Sequence, residues 1–309
     1  MDRREVLAAG IAASIAAATG VAGATNGAAP AGKKKPLITR KIPSSGEALP
    51  VIGLGTSGPF EVGDSPQERE PLKELLNAFF SGGARVLDTS PMYSTAEDVL
   101  GDLLTPAQHQ QVFLATKVWT QGQKAGVEQM ERSLSLLRQE KLDLIQVHNL
   151  MDLQTQLATL RKWKEAGRVR YIGVTHFTVA SHGELSKVIA NEKVDFVQLN
   201  YSAFTRNAEK RLLPLARDKG VAVLVNRPYE DGAVFRKVRE KPLPKWASEF
   251  GCRTWAQMFL KYIIANPAVT VVIPATGKLQ HILDNLDAGS GELPNEKQRA
   301  QILKAIASA

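Results

Sequence analysis

Apolar, β-branched runs recur along the chain at Val51–Thr56, Arg85–Ser90, Val112–Lys117, Leu142–His148, Tyr171–Thr175, Asp195–Tyr201, Val221–Arg227 and Val269–Ala275. They are continuously apolar rather than alternating, the pattern of strands in a parallel sheet whose two faces are both covered. Between them, apolar positions fall at helical spacing. Val127, Met130, Leu134 and Leu137 share a face in 123–138, as do Leu153, Leu157, Leu160 and Trp163 in 153–166. Leu72, Leu75, Leu76 and Phe79 mark a helix before the second strand, and Gly167 and Gly220 stand where helix C-caps need glycine. Eight strand–helix units within roughly 270 residues predict an α/β fold, a (β/α)8 TIM barrel, ahead of a doubly wound open sheet. Residues 37–50 read as a β-hairpin before the barrel with its turn at Ser44–Gly46, residues 228–252 as a long loop after the seventh strand, and 294–308 as a C-terminal closing helix. No linker or short-period repeat interrupts residues 36–309, which form a single predicted domain.

The first 31 residues fall outside this pattern. Arg3-Arg4 precede an apolar stretch from Val6 to about Thr19, followed by Ala22-Gly23-Ala24. The stretch is short and alanine-rich for a membrane span and fits an export signal with an Ala-x-Ala cleavage site, its paired arginines resembling the twin-arginine type. An uncleaved anchor or a loose extension is the alternative. The expected partner of the leader is the export machinery and the expected location periplasmic or secreted, cytoplasmic if the leader does not function. No later segment is apolar for long enough to span a bilayer.

Composition alters this picture little. The chain has 309 residues, 44% hydrophobic, with a formal charge of +8. The cations are scattered, so a nucleic-acid partner is not expected. Cys252 is the single cysteine, which excludes an intrachain disulfide and a thiolate metal cluster. No His-x-His or acidic cluster predicts a metal. The stretch Gly53–Gly58, GLGTSG, matches G-x-G-x-x-G, but Pro59 and the residues after it cannot start a helix there, so the dinucleotide fingerprint is rejected. The glycines read instead as a tight turn or a close approach to a ligand.

In a (β/α)8 barrel, reactive groups collect where strands end and βα loops begin. The second strand ends at Asp88 with Tyr93 five residues on, the third at Lys117, the fourth at His148. A phenol ordinarily holds its proton to about pH 10; an adjacent ammonium stabilises the phenolate, and a buried ammonium requires a carboxylate. This assigns Tyr93 as general acid, Lys117 as its tuner, Asp88 as the anchor of Lys117 and neutral His148 as a hydrogen-bond donor orienting a carbonyl. None of the four carries hydride, so a nicotinamide cofactor is required.

The motifs LDTSPMY, ATK and QVHN on the second, third and fourth strands resemble the aldo-keto reductases, and the likeness extends through YIGVTHF, FVQLNYS and IPATGKLQHILDN over nearly all of residues 37–290. The resemblance implies reduction of an aldehyde or ketone with NADPH, NADH being the alternative, and transfers the four roles to Asp88, Tyr93, Lys117 and His148. It places Gln198 and the pair Thr175-His176 on the nicotinamide carboxamide and Asn226, followed by Arg227, beneath the ring. Gly55 and Thr56 in the first βα loop, together with Asp88, complete that end. Thr276, Lys278, Asp284 and Asn285 lie at the phosphate end, where the Lys and Arg of many members read Ala275 and His281. Pro59, Phe60, Trp119, Asn149, Tyr229 and Trp246 are the expected substrate-pocket residues. Two further readings stay open: a cofactor-binding barrel with a regulatory role, and a lyase using Lys117 as a Schiff-base amine.

Overall fold

A computed structural model describes residues 35–307, so the predicted leader lies outside the described residues. Strands β1 (Thr39–Lys41) and β2 (Ala48–Pro50) form the antiparallel hairpin. Eight parallel strands follow: β3 (Leu54–Gly55), β4 (Val86–Asp88), β5 (Phe113–Val118), β6 (Leu142–His148), β7 (Val169–His176), β8 (Phe196–Asn200), β9 (Ala222–Asn226) and β10 (Val271–Val272), each pairing with the next. Bridges Ile52↔Val272 and Gly55↔Ala275 join the last strand to the first and bring the sheet round into a barrel. The first and last strands are shorter than their apolar runs predict. Pro274 has no N–H to give a ladder, and at the seam a Cβ on Gly53 would meet Ile273 Cγ2 and Val86 O at 2.9 Å. Gly53 and Gly55 are therefore small because β3 and β10 cross closely, and only Gly58, at φ +82°, serves a turn.

Helices α1 (Pro66–Ser81), α2 (Ala96–Leu103), α3 (Pro106–Gln111), α4 (Gln123–Leu136), α5 (Leu153–Glu165), α6 (His182–Asn191), α7 (Asn207–Lys210), α8 (Leu212–Lys219), α9 (Ala233–Arg236), α10 (Trp255–Ile264) and α11 (Leu279–Ala288) wrap the outside, and α12 (Glu296–Ala307) closes the chain. Their apolar stripes meet outward-facing strand residues such as Leu87, Leu114, Ile145 and Val174 in one continuous core.

The barrel interior is separate and graded. Inward residues follow the two-residue period of each strand. Toward the strand N-termini they are apolar, with Val86, Phe113, Leu144, Tyr171, Phe196, Leu224 and Val271 packed together. Ile42 and Leu49 of the hairpin join this cluster and plug the floor. Glu47 fastens the plug, accepting hydrogen bonds from Arg85 (2.9 Å), Tyr171 Oη (2.9 Å) and Arg170. Toward the strand C-termini the inward residues become polar, and the candidate site begins there.

Candidate active site

Three successive strands deliver the four predicted catalytic groups to one mouth. Asp88 ends β4, Lys117 lies near the end of β5 and His148 ends β6; Tyr93 arrives on the loop between β4 and α2. The Lys117 side chain is wholly buried, and Nζ donates to Asp88 Oδ2 at 2.7 Å and to the Thr89 carbonyl at 2.6 Å. The same ammonium sits 4.9 Å from the Tyr93 ring centroid. The Tyr93 and His148 rings meet edge-on, centroids 6.2 Å apart.

Asp88 is held from both sides. Its Oδ1 accepts from Gln198 Nε2 at 2.7 Å and Gln146 Nε2 at 3.3 Å, while Gln198 Oε1 accepts from Thr175 Oγ1 (3.1 Å) and Asn226 Nδ2 (3.3 Å). One polar layer therefore crosses the barrel, with members on every strand from β4 to β9. Asp88 keeps Lys117 charged: despite burial, which acts the other way, the ammonium's pKa lies above the usual lysine value. Tyr93 behaves differently from the sequence expectation. Burial raises its phenol, Lys117 pulls it down, and burial prevails, so the resting side chain keeps its proton more firmly than free tyrosine. His148 is held down to about 3 by burial, with the Lys117 and His176 charges adding to the effect. It is neutral at physiological pH. Ser90 Oγ contacts its Nδ1 at 3.2 Å and already accepts from Met92 N–H. With the serine hydroxyl donating to Nδ1, the neutral imidazole carries its proton on Nε2.

The mouth opens into a cleft of about 770 Å³. Of the cofactor candidates, Gly55, Thr56, Asp88, Thr175, Gln198, Asn226, Arg227, Thr276, Asp284 and Asn285 line it; Tyr93, His148 and Asn149 do too. His176 and Lys278 do not. His176 follows the inward-facing Thr175, so strand alternation turns it outward, where its Nδ1 accepts from Thr178 N–H and its ring stacks on Phe177. Lys278 is exposed; its backbone N–H donates to Thr276 Oγ1, and its carbonyl accepts from the His281 and Ile282 N–H groups. Asp284 is engaged on both carboxylate oxygens by Thr254 Oγ1 and Gln257 Nε2 at the start of α10, and Asn285 Oδ1 accepts from Tyr229 Oη at 2.8 Å. Among the substrate-pocket candidates, Asn149 and Tyr229 line the cleft. Pro59, Phe60, Trp119 and Trp246 do not: Phe60 is fully buried in the outer core, and Trp246 packs on Phe250. Met92, Phe177 and Phe235 supply the apolar wall instead.

Gln146 and Ser90 are contributors that the sequence reading passed over. Gln146 had a visible signal, a polar residue inside an apolar strand two positions before His148 and so on its face. The loops around the mouth are strained, with left-handed backbone at Asn149, Leu150 and Asp152 after β6, and at Arg227, Glu230 and Asp231 after β9. Among the described residues no group of acids, His and Cys could hold a metal, and no helix is long and apolar enough to cross a membrane.

The model of the Aldo/keto reductase family matches residues 51–306. The methylglyoxal reductase YeaE of Escherichia coli K12 is 26% identical over 255 residues, covering 80% of this chain and 88% of that protein. Among solved structures, an aldo/keto reductase from Klebsiella pneumoniae in complex with NADP and acetate superposes with TM-score 0.71 at 25% identity, over 83% of this chain and 91% of that one. A second Klebsiella pneumoniae structure, in complex with NADPH, gives TM-score 0.72 at 25% identity, over 87% and 94%.

Proposed function

We propose that this chain, which belongs to the Aldo/keto reductase family, reduces an aldehyde or ketone to an alcohol with NADPH, Tyr93 giving the proton. The observation that carries the reading is the wholly buried Lys117 ammonium, held 2.7 Å from Asp88 Oδ2 and 4.9 Å from the Tyr93 ring centroid at the wall of the cleft. The NADP and NADPH complexes of the Klebsiella pneumoniae relatives support the cofactor.

The residues present fit a dinucleotide. Asn226 Oδ1 and Asn149 Oδ1 are buried acceptors without a partner, and both residues line the cleft. A carboxamide N–H₂ supplies the donors such acceptors need. At the other end, α11 starts beside Thr276 and His281 of the cleft lining; the His281 and Ile282 N–H groups are taken up by the Lys278 carbonyl, which leaves those of Leu279 and Gln280 as the groups a helix start offers an anion. Bound NADPH supplies the hydride. The chain's own residues do the rest. His148 donates from Nε2 to the carbonyl oxygen and fixes its direction. Tyr93, kept protonated by burial, transfers its proton to that oxygen as negative charge develops. The phenolate that remains is stabilised by Lys117, whose charge Asp88 maintains. A lysine so paired stays protonated, which disfavours a Schiff-base role.

The test is Tyr93→Phe. Turnover of a carbonyl panel including methylglyoxal should fall by about 10²–10⁴-fold, with NADPH affinity and unfolding midpoint retained. Unchanged turnover overturns the assignment. We further infer that residues 1–31 form an export leader placing the barrel in the periplasm or outside the cell, a reading supported by Arg3-Arg4 ahead of the apolar stretch.

A further inference from the structure

Behind the catalytic face lies a carboxyl that the proposed reaction does not touch. Glu97, 2% exposed, sits in the first turn of α2, four residues after Tyr93. Its Oε1 accepts from Thr116 Oγ1 at 2.6 Å, and its Oε2 from Ser133 Oγ on α4 at 3.1 Å. Thr116 immediately precedes Lys117 on β5. By strand alternation the one points out of the barrel and the other in. A single hydrogen bond thus joins the element that follows the proton donor to the strand that carries its ammonium partner.

The loop bearing Tyr93 is stapled to β5 at both ends. At its start, Thr89 N–H donates to the Ala115 carbonyl at 2.9 Å; at its end, Glu97 receives the hydroxyl of Thr116. Between the staples, Tyr93 N–H donates to the Ser90 carbonyl and Ala96 N–H to the Tyr93 carbonyl, bonds internal to the segment. Thr95 Oγ1 donates to the Val62 carbonyl, in a different loop. The helix end is a firm support: α2 lies so close to α4 that a Cβ on Gly101 would overlap the Leu136 carbonyl oxygen at 2.0 Å.

We propose that Glu97 is a positioning residue for the proposed proton donor, its bond to Thr116 fixing how far the Tyr93 ring stands from Lys117. This rests on the reading of Tyr93 given above. The bond to Ser133 has a different task, docking α2 onto α4. The charged groups facing Glu97 are Lys117 from β5 and Arg132 from α4.

The two bonds can be cut separately. Thr116→Val keeps the side-chain shape and removes only the hydroxyl; a misplacement of the order of 1 Å at a reacting group costs up to about 10²-fold. A 10- to 100-fold fall in kcat is therefore expected, with NADPH affinity within about twofold of wild type. Ser133→Ala should leave kcat within about twofold while lowering the unfolding midpoint. Glu97→Ala should reproduce the kcat loss, and Glu97→Gln, whose carbonyl still accepts from Thr116, should restore it. The same variants labelled with ¹³C-tyrosine give a readout independent of turnover, the Tyr93 signal being identified by its absence in Tyr93→Phe. It should move in Thr116→Val and stay in Ser133→Ala. Wild-type kcat and an unmoved Tyr93 signal in Thr116→Val overturn the proposal, as do equal losses in Thr116→Val and Ser133→Ala. A wild-type protein that reduces no carbonyl sinks the reductase reading instead, and the Tyr93 signal then decides the positioning role alone.

Discussion

Replacing Lys117 by Met separates the energetics of the buried pair from its chemistry. The Lys117 side chain is 0% exposed and that of Asp88 3%, so neither charge has water to fall back on. Met fills much of the volume and removes the ammonium, leaving a buried carboxylate without a cation. Breaking such a pair from one side costs about 3–5 kcal/mol. Gln198 and Gln146 continue to donate to Oδ1, which favours the lower end, about 3 kcal/mol. For a domain of this size each kcal/mol moves Tm by about 2–4 °C, so a fall of about 6–12 °C is expected. The assay is urea unfolding at pH 7 followed by tryptophan fluorescence, with a thermal scan beside it. Adding Asp88→Asn to Lys117→Met removes the orphaned charge while keeping an acceptor for the two glutamines, and the double variant should recover about half of the loss. The reasoning is refuted if Lys117→Met unfolds within about 1 kcal/mol of wild type, or if the double variant is no more stable than the single one. The first result would mean that Asp88 is not confined as its hydrogen bonds require; the second, that the cost was packing rather than charge.

Three further outcomes are expected. His148 is held down to about 3 in the folded protein against about 6.5 unfolded, so the unfolded chain binds the extra proton between those values. Its contribution is complete above pH 6.5 and is lost as pH falls toward 3; His148→Gln should flatten the pH dependence of unfolding free energy in that window, measured as the difference from wild type, and an unchanged slope would contradict a buried neutral imidazole. Glu47→Ala cuts the hairpin plug from Arg85, Arg170 and Tyr171 at the floor and should cost on the order of 1–2 kcal/mol with kcat unaltered, since the floor lies at the opposite end of the strands; a matching loss of kcat in folded protein would show that the two ends are coupled. Substituting Arg3→Lys and Arg4→Lys together should keep the full-length chain in the cytoplasm on cell fractionation, and undiminished periplasmic protein would remove the twin-arginine reading.

The strands and the closing helix were legible because burial on both faces leaves an uninterrupted apolar run, and the hairpin because its turn residues stand between two short extended pieces. The ends of the barrel were harder. Val51–Thr56 and Val269–Ala275 read as full strands, yet β3 and β10 each keep only two ladder residues. Apolarity reports burial, and burial at a closing seam does not require regular pairing. The glycines of GLGTSG were legible in part for a related reason. Gly58 makes the turn and Gly55 lines the cleft, but Gly53 and Gly55 also lie against the last strand, a contact between residues more than two hundred positions apart that local pattern cannot show.

The site divides along the same line. Asp88, Lys117 and His148 were visible because each terminates an apolar run, and a polar residue there must face either solvent or the barrel mouth. Which of the two is a question of parity along the strand. Thr175 and His176 are adjacent and both polar, but only Thr175 has the inward parity set by Tyr171 and Gly173, so only it reaches Gln198. The same count places Gln146 in the polar layer through His148, and Thr116 outside it through Lys117. The substrate-side aromatics had no such rule to obey. Phe177 lies on the loop after β7 and Phe235 on the short α9 within the long loop after β9, a loop that turns through left-handed backbone at Arg227, Glu230 and Asp231; strand parity fixes neither, and these two line the cleft where Trp119 and Trp246 do not. In this fold, then, Asp88, Lys117 and His148 are specified by strand arithmetic, and Tyr93 and the specificity groups by the conformation of the segments that follow the strands. Changes confined to the loop after β9 should accordingly alter which carbonyl is accepted while leaving the Asp88–Lys117–Tyr93 geometry in place.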